Sequence, residues 1–584
     1  MNQTKKQSTP FEIAELCSLI ASYLEPRDFT RLCLVNKDFS QLFRPFLWSK
    51  IVLAKRADCS NKQLPSVEAL RSNGHLVEHA ELSSWFNSED AEFFPWYNSE
   101  YAKLSFCSKG ESNNEGDSEC IILENLDYVL AGALLAQCGL RSLKVEDHSM
   151  SGRIWHVFME RIRGNRTVEN TQFLDGIRTL HICLTYDLFN SKFWPIFTRP
   201  HEYPKAVAVF AGVTEFRLHV PQPAEDDQFM GEGCIEVQLR NLVNLFPNLL
   251  ELSLTGVDIL EPHGDTEREF SRSAAVTNCK PLGDYHFRTL DLKYCGISAK
   301  QVVHILERSP RVRSLSIGSN PLLGDAEVLA DSIPALIPYL ANYEQHGFVL
   351  TGLSTMLRGL RHLTSVCFNR MRVQDDELQA LAESCPLLER LSLLHCRSLS
   401  HRGLKLIMKT FTRLISLNLQ STVVSWDIFG QDPAQFTAHD TPTATATAAA
   451  PTMPSSLPAA CCPWACQYTL QNLVLCLPGL VNNNQLVNLA RQRFQSFPKL
   501  RSLKLALPVS VLLDPGLKED RSNARPANFY PALETLDVVF ISPIVRLKDT
   551  IRIVRSMPKL IKGITKGSFD HASVVWFSGR GAEV

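Results

Sequence analysis

At 584 residues the chain is longer than one hydrophobic core normally serves, so it must divide into several cores or stack repeated units on one another. Lys plus Arg number 60 against 61 for Asp plus Glu, a net charge of −1, which argues against a surface built to coat nucleic acid. The 17 cysteines include no C-x-x-C pair and no disulfide framework, which points to reduced thiols in a cytoplasmic or nuclear protein.

Residues 1–10 are polar, with no apolar core for a secretory signal, and are expected to be disordered. From Phe11 the apolar residues Ile13, Leu16, Cys17, Ile20 and Leu24 fall at helical spacing. Pro26 is expected to stop that helix, and Asp28 to cap a second one carrying Phe29, Leu32, Cys33 and Val35. A third short helix would hold Phe39, Leu42 and Phe43 and end before Pro45, followed by Phe46, Leu47, Trp48 and Ile51. So short a module cannot bury this much apolar surface alone, so part of it is expected to meet another chain.

These residues resemble an F-box. The likeness rests on Tyr23-Leu24 closing the first helix, the Arg27-Asp28-Phe29 turn, Leu34-Val35-Asn36-Lys37, and Pro45-x-x-Trp48. Ile13-Ala14 stands where the family usually has Leu-Pro before Glu15. The resemblance implies that an F-box-like helical module, residues 11–55, docks a Skp-type linker subunit and through it a cullin–RING ubiquitin ligase. Leu16, Ile20, Leu24, Leu32 and Val35 are the interface candidates it implies. The same apolar stripe would also serve a plain three-helix cap on the domain that follows.

Beyond the module, phrases of the form L-x-x-L-x-L recur. They are LRSLKV at 140, IRTLHI at 177, VTEFRL at 213, LLELSL at 249, FRTLDL at 287 and VRSLSI at 312. They continue as LTSVCF at 363, LERLSL at 388, LISLNL at 414, LQNLVL at 470, LRSLKL at 500 and LETLDV at 533. The alternation is that of a strand with one buried face. Helical-period segments lie between, at Ala299–Glu307, Asp376–Ser384, Arg402–Lys409 and Gln485–Phe494. Prolines after them, at 310, 386 and 498, turn the chain into the next strand.

A strand and a returning helix, stacked many times, is an α/β leucine-rich-repeat solenoid over 76–565, with a parallel concave sheet and helices on the convex side. HLVEHAEL at 75–82 is the expected first rung. Cys295 and Cys396 occupy the Asn/Cys position of the repeat, which resembles the cysteine-containing, ribonuclease-inhibitor-like class often joined to F-boxes. Residues 431–458, rich in Pro, Ala and Thr, read as a disordered insert, with smaller polar loops at 108–119 and 514–528 and a C-terminal tail at 566–584. The longest apolar stretch, Tyr128–Leu140, is too short to span a bilayer.

The residue between the last two apolar positions of each strand should face the concave surface. That column reads Lys144, His181, Arg217, Ser253, Asp291 and Ser316, then Cys367, Ser392, Asn418, Val474, Lys504 and Asp537. It is no sustained basic stripe with stacking aromatics, so a protein substrate fits better than nucleic acid, with Ser253, Asp291, Ser316, Ser392 and Asn418 as candidate contacts.

Catalytic signatures are weak. His75-x-x-Glu78-His79 matches a metalloprotease string, but its flanks read as a strand, and the chemistry needs both histidines on one helical face. Cys461, Cys462 and Cys466 lack zinc-site spacing and a nearby histidine. No phosphate-binding or nucleophile-elbow motif is present, so the expectation is a non-enzymatic adaptor with no cofactor or metal and no membrane partner. The leading function is substrate recruitment to an SCF-type ubiquitin ligase. The alternatives are a ligase-independent repeat scaffold and a GTPase-activating repeat protein.

Overall fold

The computed structural model describes residues 17, 20–21, 24, 26–55, 69, 72–84, 140–145, 176–183, 196–197, 199–200, 206–207, 210–220, 235–260, 284–318, 326–347, 351–396, 399–420, 422, 464–476, 493–494, 496–507, 532–540, 562–567 and 575–578. They belong to two compact units, Met1–Ile297 and Ser298–Val584. The segments 1–10, 108–119, 431–458 and 514–528, read above as disordered or loop, lie outside the described residues.

In the first unit Cys17, Ile20 and Ala21 are helical, and helices α1 (Pro26–Val35) and α2 (Lys37–Ser49) follow. Pro26 starts α1, where its missing N–H is no loss, and Asp28 lies inside the first turn instead of capping it. Asn36 breaks the chain between the helices. It is extended, and its Oδ1 accepts the Phe39 N–H at 2.8 Å, an N-cap for α2. The expected end before Pro45 is wrong, because α2 runs through that proline to Ser49. One lost backbone bond is outweighed by a continuous aromatic face: Phe43 meets Phe39, Phe46 and Phe29 of α1, and Phe46 also meets Phe29, with ring centroids 5.8–6.4 Å apart, while Pro45 itself is exposed.

The same unit then builds a parallel sheet. Strand β1 (Lys50–Lys55) leaves α2 directly and pairs with β2 (His79–Ser84). The phrase at 75–82 therefore does enter a strand, but as the second rung. Next come β3 (Ser142–Val145), β4 (Thr179–Cys183) and β5 (Glu215–His219), each parallel to its predecessor. The short strands β6 (Glu236–Gln238) and β8 (Asp258–Leu260) form a separate two-stranded sheet, with helix α3 (Leu239–Leu245) between them in sequence. The main sheet continues through β7 (Glu251–Thr255) and β9 (Thr289–Lys293). Leu143, Leu180, Phe216, Leu252 and Leu290 sit side by side in this register and all are buried.

The second unit repeats strand and helix more regularly. It runs α4 (Ala299–Glu307), β10 (Ser314–Gly318), α5 (Ala326–Leu336), β11 (Asn342–His346), α6 (Leu353–Gly359) and β12 (Ser365–Asn369). It goes on with α7 (Asp375–Ser384), β13 (Arg390–Leu394), α8 (His401–Thr410) and β14 (Ser416–Leu419). Strands β15 (Asn472–Cys476), β16 (Ser502–Leu507), β17 (Thr535–Phe540) and β18 (Lys562–Gly567) follow in parallel, and β19 (Val575–Ser578) adds antiparallel at the end. Ser298 caps α4 reciprocally with Gln301: its Oγ accepts the Gln301 N–H at 3.3 Å, and Gln301 Oε1 accepts the Ser298 N–H at 2.7 Å.

Each strand phrase read from the sequence forms a strand, and three of the four expected helices are present; of Gln485–Phe494 only Arg493 and Phe494 are described. One rung, β11, carried no leucine signal. Its two inward positions are Tyr343 and Gln345, both buried, and the Tyr343 hydroxyl donates to Gln345 Oε1 at 2.8 Å. That bond satisfies the tyrosine hydroxyl and the amide oxygen, which lowers the cost of a polar residue at a core position.

The strand exits share a device. The residue just past the strand is left-handed at Gly256 (φ 74), Tyr294 (φ 58), Gly347 (φ 74), Arg370 (φ 54) and His395 (φ 54). The twist turns the chain off the sheet while its N–H still reaches the next rung, as from Arg370 to the Leu394 carbonyl (2.8 Å) and from His395 to that of Gln420 (3.0 Å). This repeated geometry makes both units leucine-rich-repeat stacks.

Candidate partner-docking surfaces

In the helical module, Ala21, Phe29 and Phe43 form the buried centre, and Ile20, Leu24, Leu32, Cys33, Leu42 and Leu47 pack against it. Three of the sequence-derived interface residues, Ile20, Leu24 and Leu32, are thus half-buried supports of the module. Leu16 lies outside the described residues. Val35 is 62% exposed, and its neighbour Leu34, which the helical spacing did not single out, is 80% exposed. Two adjacent large aliphatics in water at the end of α1 are a conspicuous apolar patch for a soluble surface. Arg44 ties α2 to the following segment by donating to Asn73 Oδ1 at 2.5 Å.

The outward column of the sheet is in register as expected. Lys144, His181, Arg217, Ser253 and Asp291 align across β3, β4, β5, β7 and β9. In the second unit Ser316, Glu344, Cys367, Ser392, Asn418, Val474, Lys504 and Asp537 align likewise, with Glu344 contributed by the unforeseen rung. Much of the column is internally paired. Ser253 Oγ donates to Asp291 Oδ2 at 3.0 Å, and Lys293 Nζ lies 3.4 Å from the same oxygen. Ser316 Oγ donates to Glu344 Oε2 at 3.0 Å, His346 Nε2 meets Glu344 Oε1 at 2.7 Å, and Asn418 Oδ1 accepts the Gln420 N–H at 3.0 Å. Ser392 is half-buried in the middle of the column, between Cys367 and Asn418.

The first unit holds a charged cluster. His181 Nε2 is 2.9 Å from Glu215 Oε1, which Arg217 also reaches at 2.8 Å. Burial, then the nearby Arg217 and Lys144, lower the His181 pKa against the pull of Glu215. Burial would raise Glu215, but the hydrogen bond from His181 and the charge of Arg217 bring it below its usual value.

The repeat cysteines are structural. Cys295 Sγ donates to the Leu254 carbonyl at 3.1 Å, and Cys396 Sγ to the Phe368 carbonyl at 3.5 Å. Burial pushes their thiols up to about 12 and about 11. Cys466 is buried too, its thiol at about 11, and Cys461 and Cys462 lie outside the described residues.

The H-x-x-E-H string does not form its helix: His75 is in a 3₁₀ turn, His79 opens β2, and Glu78 pairs with Arg141 at 3.9 Å. Among the described residues no group of three or more His, Cys, Asp or Glu is placed to hold a metal ion, and no helix is long and apolar enough to cross a membrane.

Compared with known families, residues 14–54 match the F-box-like family. No curated protein matches the chain. Among solved structures, a leucine-rich-repeat protein of Leptospira interrogans aligns at 13% identity and a TM-score of 0.28, over 75% of this chain and 91% of that one. The TLR13–ssRNA13 complex aligns at 13% identity and a TM-score of 0.32, over 76% of this chain and 61% of that one. At these scores the repeat assignment rests on the strand register and the left-handed exits, not on either structure.

Proposed function

We propose that this chain, whose residues 14–54 form an F-box-like domain ahead of leucine-rich repeats, is the substrate-recognition adaptor of an SCF-type ubiquitin ligase. The F-box-like helices dock a Skp-type linker, the repeats hold a protein substrate, and the chemistry belongs to other subunits. The observation that carries the docking half is the exposed Leu34-Val35 pair at the end of α1, beside a module whose other described apolar residues turn inward.

The test is a pull-down of a purified Skp-type linker with full-length protein. Leu34→Asp with Val35→Asp should abolish capture, since a charge in a dry interface stays unpaired. Both side chains are exposed in the free chain, so its folding should be unchanged. Capture at the unsubstituted level would refute the reading. Absence of capture by the unsubstituted chain would favour the ligase-independent scaffold, the reading that Ile13-Ala14 in place of Leu-Pro also favours.

A further inference from the structure

The turns that lead into the strands of the second unit follow one four-residue frame, ending in a buried aliphatic and one further residue. The frames are 310–313, 338–341, 361–364, 386–389, 412–415, 468–471 and 498–501, with residues 532–534 described of the last, one per rung from β10 to β17. Their charges alternate. Cations occupy every second frame: Arg311 and Arg313, then Arg361 with His362, then Arg413, then Lys499 and Arg501, all exposed. The frames between carry no cation, and two of them present exposed tyrosines, Tyr339 at 56% and Tyr468 at 67%.

The aromatic and cationic side chains are partly organised together. Arg313 donates to the Tyr339 carbonyl at 3.0 Å, its guanidinium lies 5.2 Å from the Tyr339 ring centroid, and the His362 ring stands 5.2 Å from the other end of that contact. Arg501 lies 3.9 Å from Glu534, but among the described residues Arg311, Arg361, Arg413 and Lys499 meet no carboxylate within ion-pair distance.

Parallel strands are spaced about 4.8 Å apart, so cation-bearing frames recur about every 9.6 Å. A polyproline II segment advances about 3.1 Å per residue with three residues per turn, so one of its faces repeats about every 9.3 Å. A β-extended segment repeats a face about every 6.7 Å, which does not fit. A duplex strand presents a phosphate about every 3.4 Å, far denser than this ladder. The Tyr339 ring, already covered by Arg313, is also a poor platform for a base.

We propose that this edge is the docking site for an acidic polyproline II segment of a partner protein, with a carboxylate at every third residue facing Arg311, Arg361, Arg413 and Lys499, and a proline ring against Tyr468. The proposal deepens the reading that the repeats hold a protein, naming the chemistry of the partner and moving its site from the face of the sheet to its edge. The peptide assay contains no linker subunit, so failure here and failure of the linker pull-down are separate results.

The test is fluorescence anisotropy of full-length protein with a labelled peptide of four Glu-Pro-Pro repeats, against a peptide of the same composition with its glutamates in one block. The repeat peptide should bind at least tenfold tighter than the block, weaken as salt rises, and lose at least tenfold on Arg361→Glu with Arg413→Glu. Arg402→Glu, an exposed change on α8, should leave binding unaltered. Equal affinity for the block peptide, no loss in the double variant, or tighter binding of a single-stranded oligonucleotide of equal charge would overturn the proposal.

Discussion

Leu393 and Ser392 are neighbours in β13, and the fold assigns them opposite fates. Leu393 is fully buried, in register with Phe368 of β12, while Leu391 beside it is in register with Val366 and Leu417. Leu393→Ala removes three carbons, about 2.4 kcal/mol of transfer free energy at roughly 0.8 per methylene. Its walls are the side chains of stacked rungs that cannot collapse far, so a cavity contribution should bring the loss to about 3–5 kcal/mol. Ser392→Ala faces the other side of the sheet and should stay within about 0.5 kcal/mol. Urea unfolding of full-length protein reads both as midpoint shifts at constant m-value. Because rungs couple mainly to their neighbours, amide exchange across 390–394 should report the Leu393→Ala loss locally as well. Equal losses from the two substitutions would mean that β13 is not buried on one face, and the repeat register would fall with it.

Three further outcomes follow from particular contacts. Gly256→Ala should destabilise by about 1–3 kcal/mol, because φ is +74 and a Cβ there would lie 2.1 Å from the Val220 carbonyl oxygen; an unchanged melting temperature would contradict that geometry. Thr422→Val should cost about 1–3 kcal/mol in chemical denaturation, since the buried Thr422 hydroxyl donates to the Leu393 carbonyl and accepts the Cys396 N–H at 3.3 Å. The His181–Glu215 cluster should lose stability on acidification: both pKa values are lowered by folding, so its contribution is complete above about pH 6.5 and fades as pH falls through the two folded values. An NMR titration placing His181 at or above 6.5 would refute this.

How much of the fold could be read in advance depended on whether the buried positions were apolar. Leu391 and Leu393, Leu417 and Leu419, or Leu290 and Leu292 announce their strands because alternation and hydrophobicity coincide. Asn342–His346 was silent because Tyr343 and Gln345 solve the same burial problem by bonding to each other. Lys50–Lys55 was silent for the opposite reason. Its run Ile51-Val52-Leu53-Ala54 is continuously apolar and follows Trp48, so it read as the end of the helical module instead of the first rung. At Pro45 the local cost of one missing N–H predicts a helix end, and the ring contacts that outweigh it arise only from the packing of α1 on α2.

The candidate sites divide along the same line. The outward column was legible because strand alternation alone fixes it, and the register bears that alignment out from Lys144 to Asp291 and from Ser316 to Asp537. The apolar residues of the helical module were not separable by spacing, since Leu32 and Val35 sit three apart on one helix and only the position of α2 makes the first a support and leaves the second exposed. The cationic ladder was hidden by the net charge of −1. In the second unit, α7 carries Asp375, Asp376, Glu377 and Glu383, while the turns into the strands carry Arg311, Arg361, Arg413 and Lys499. In a stacked repeat the turns into the strands recur about every 4.8 Å along the sheet, so cations carried by the turns of alternate rungs form a line even when the composition is balanced.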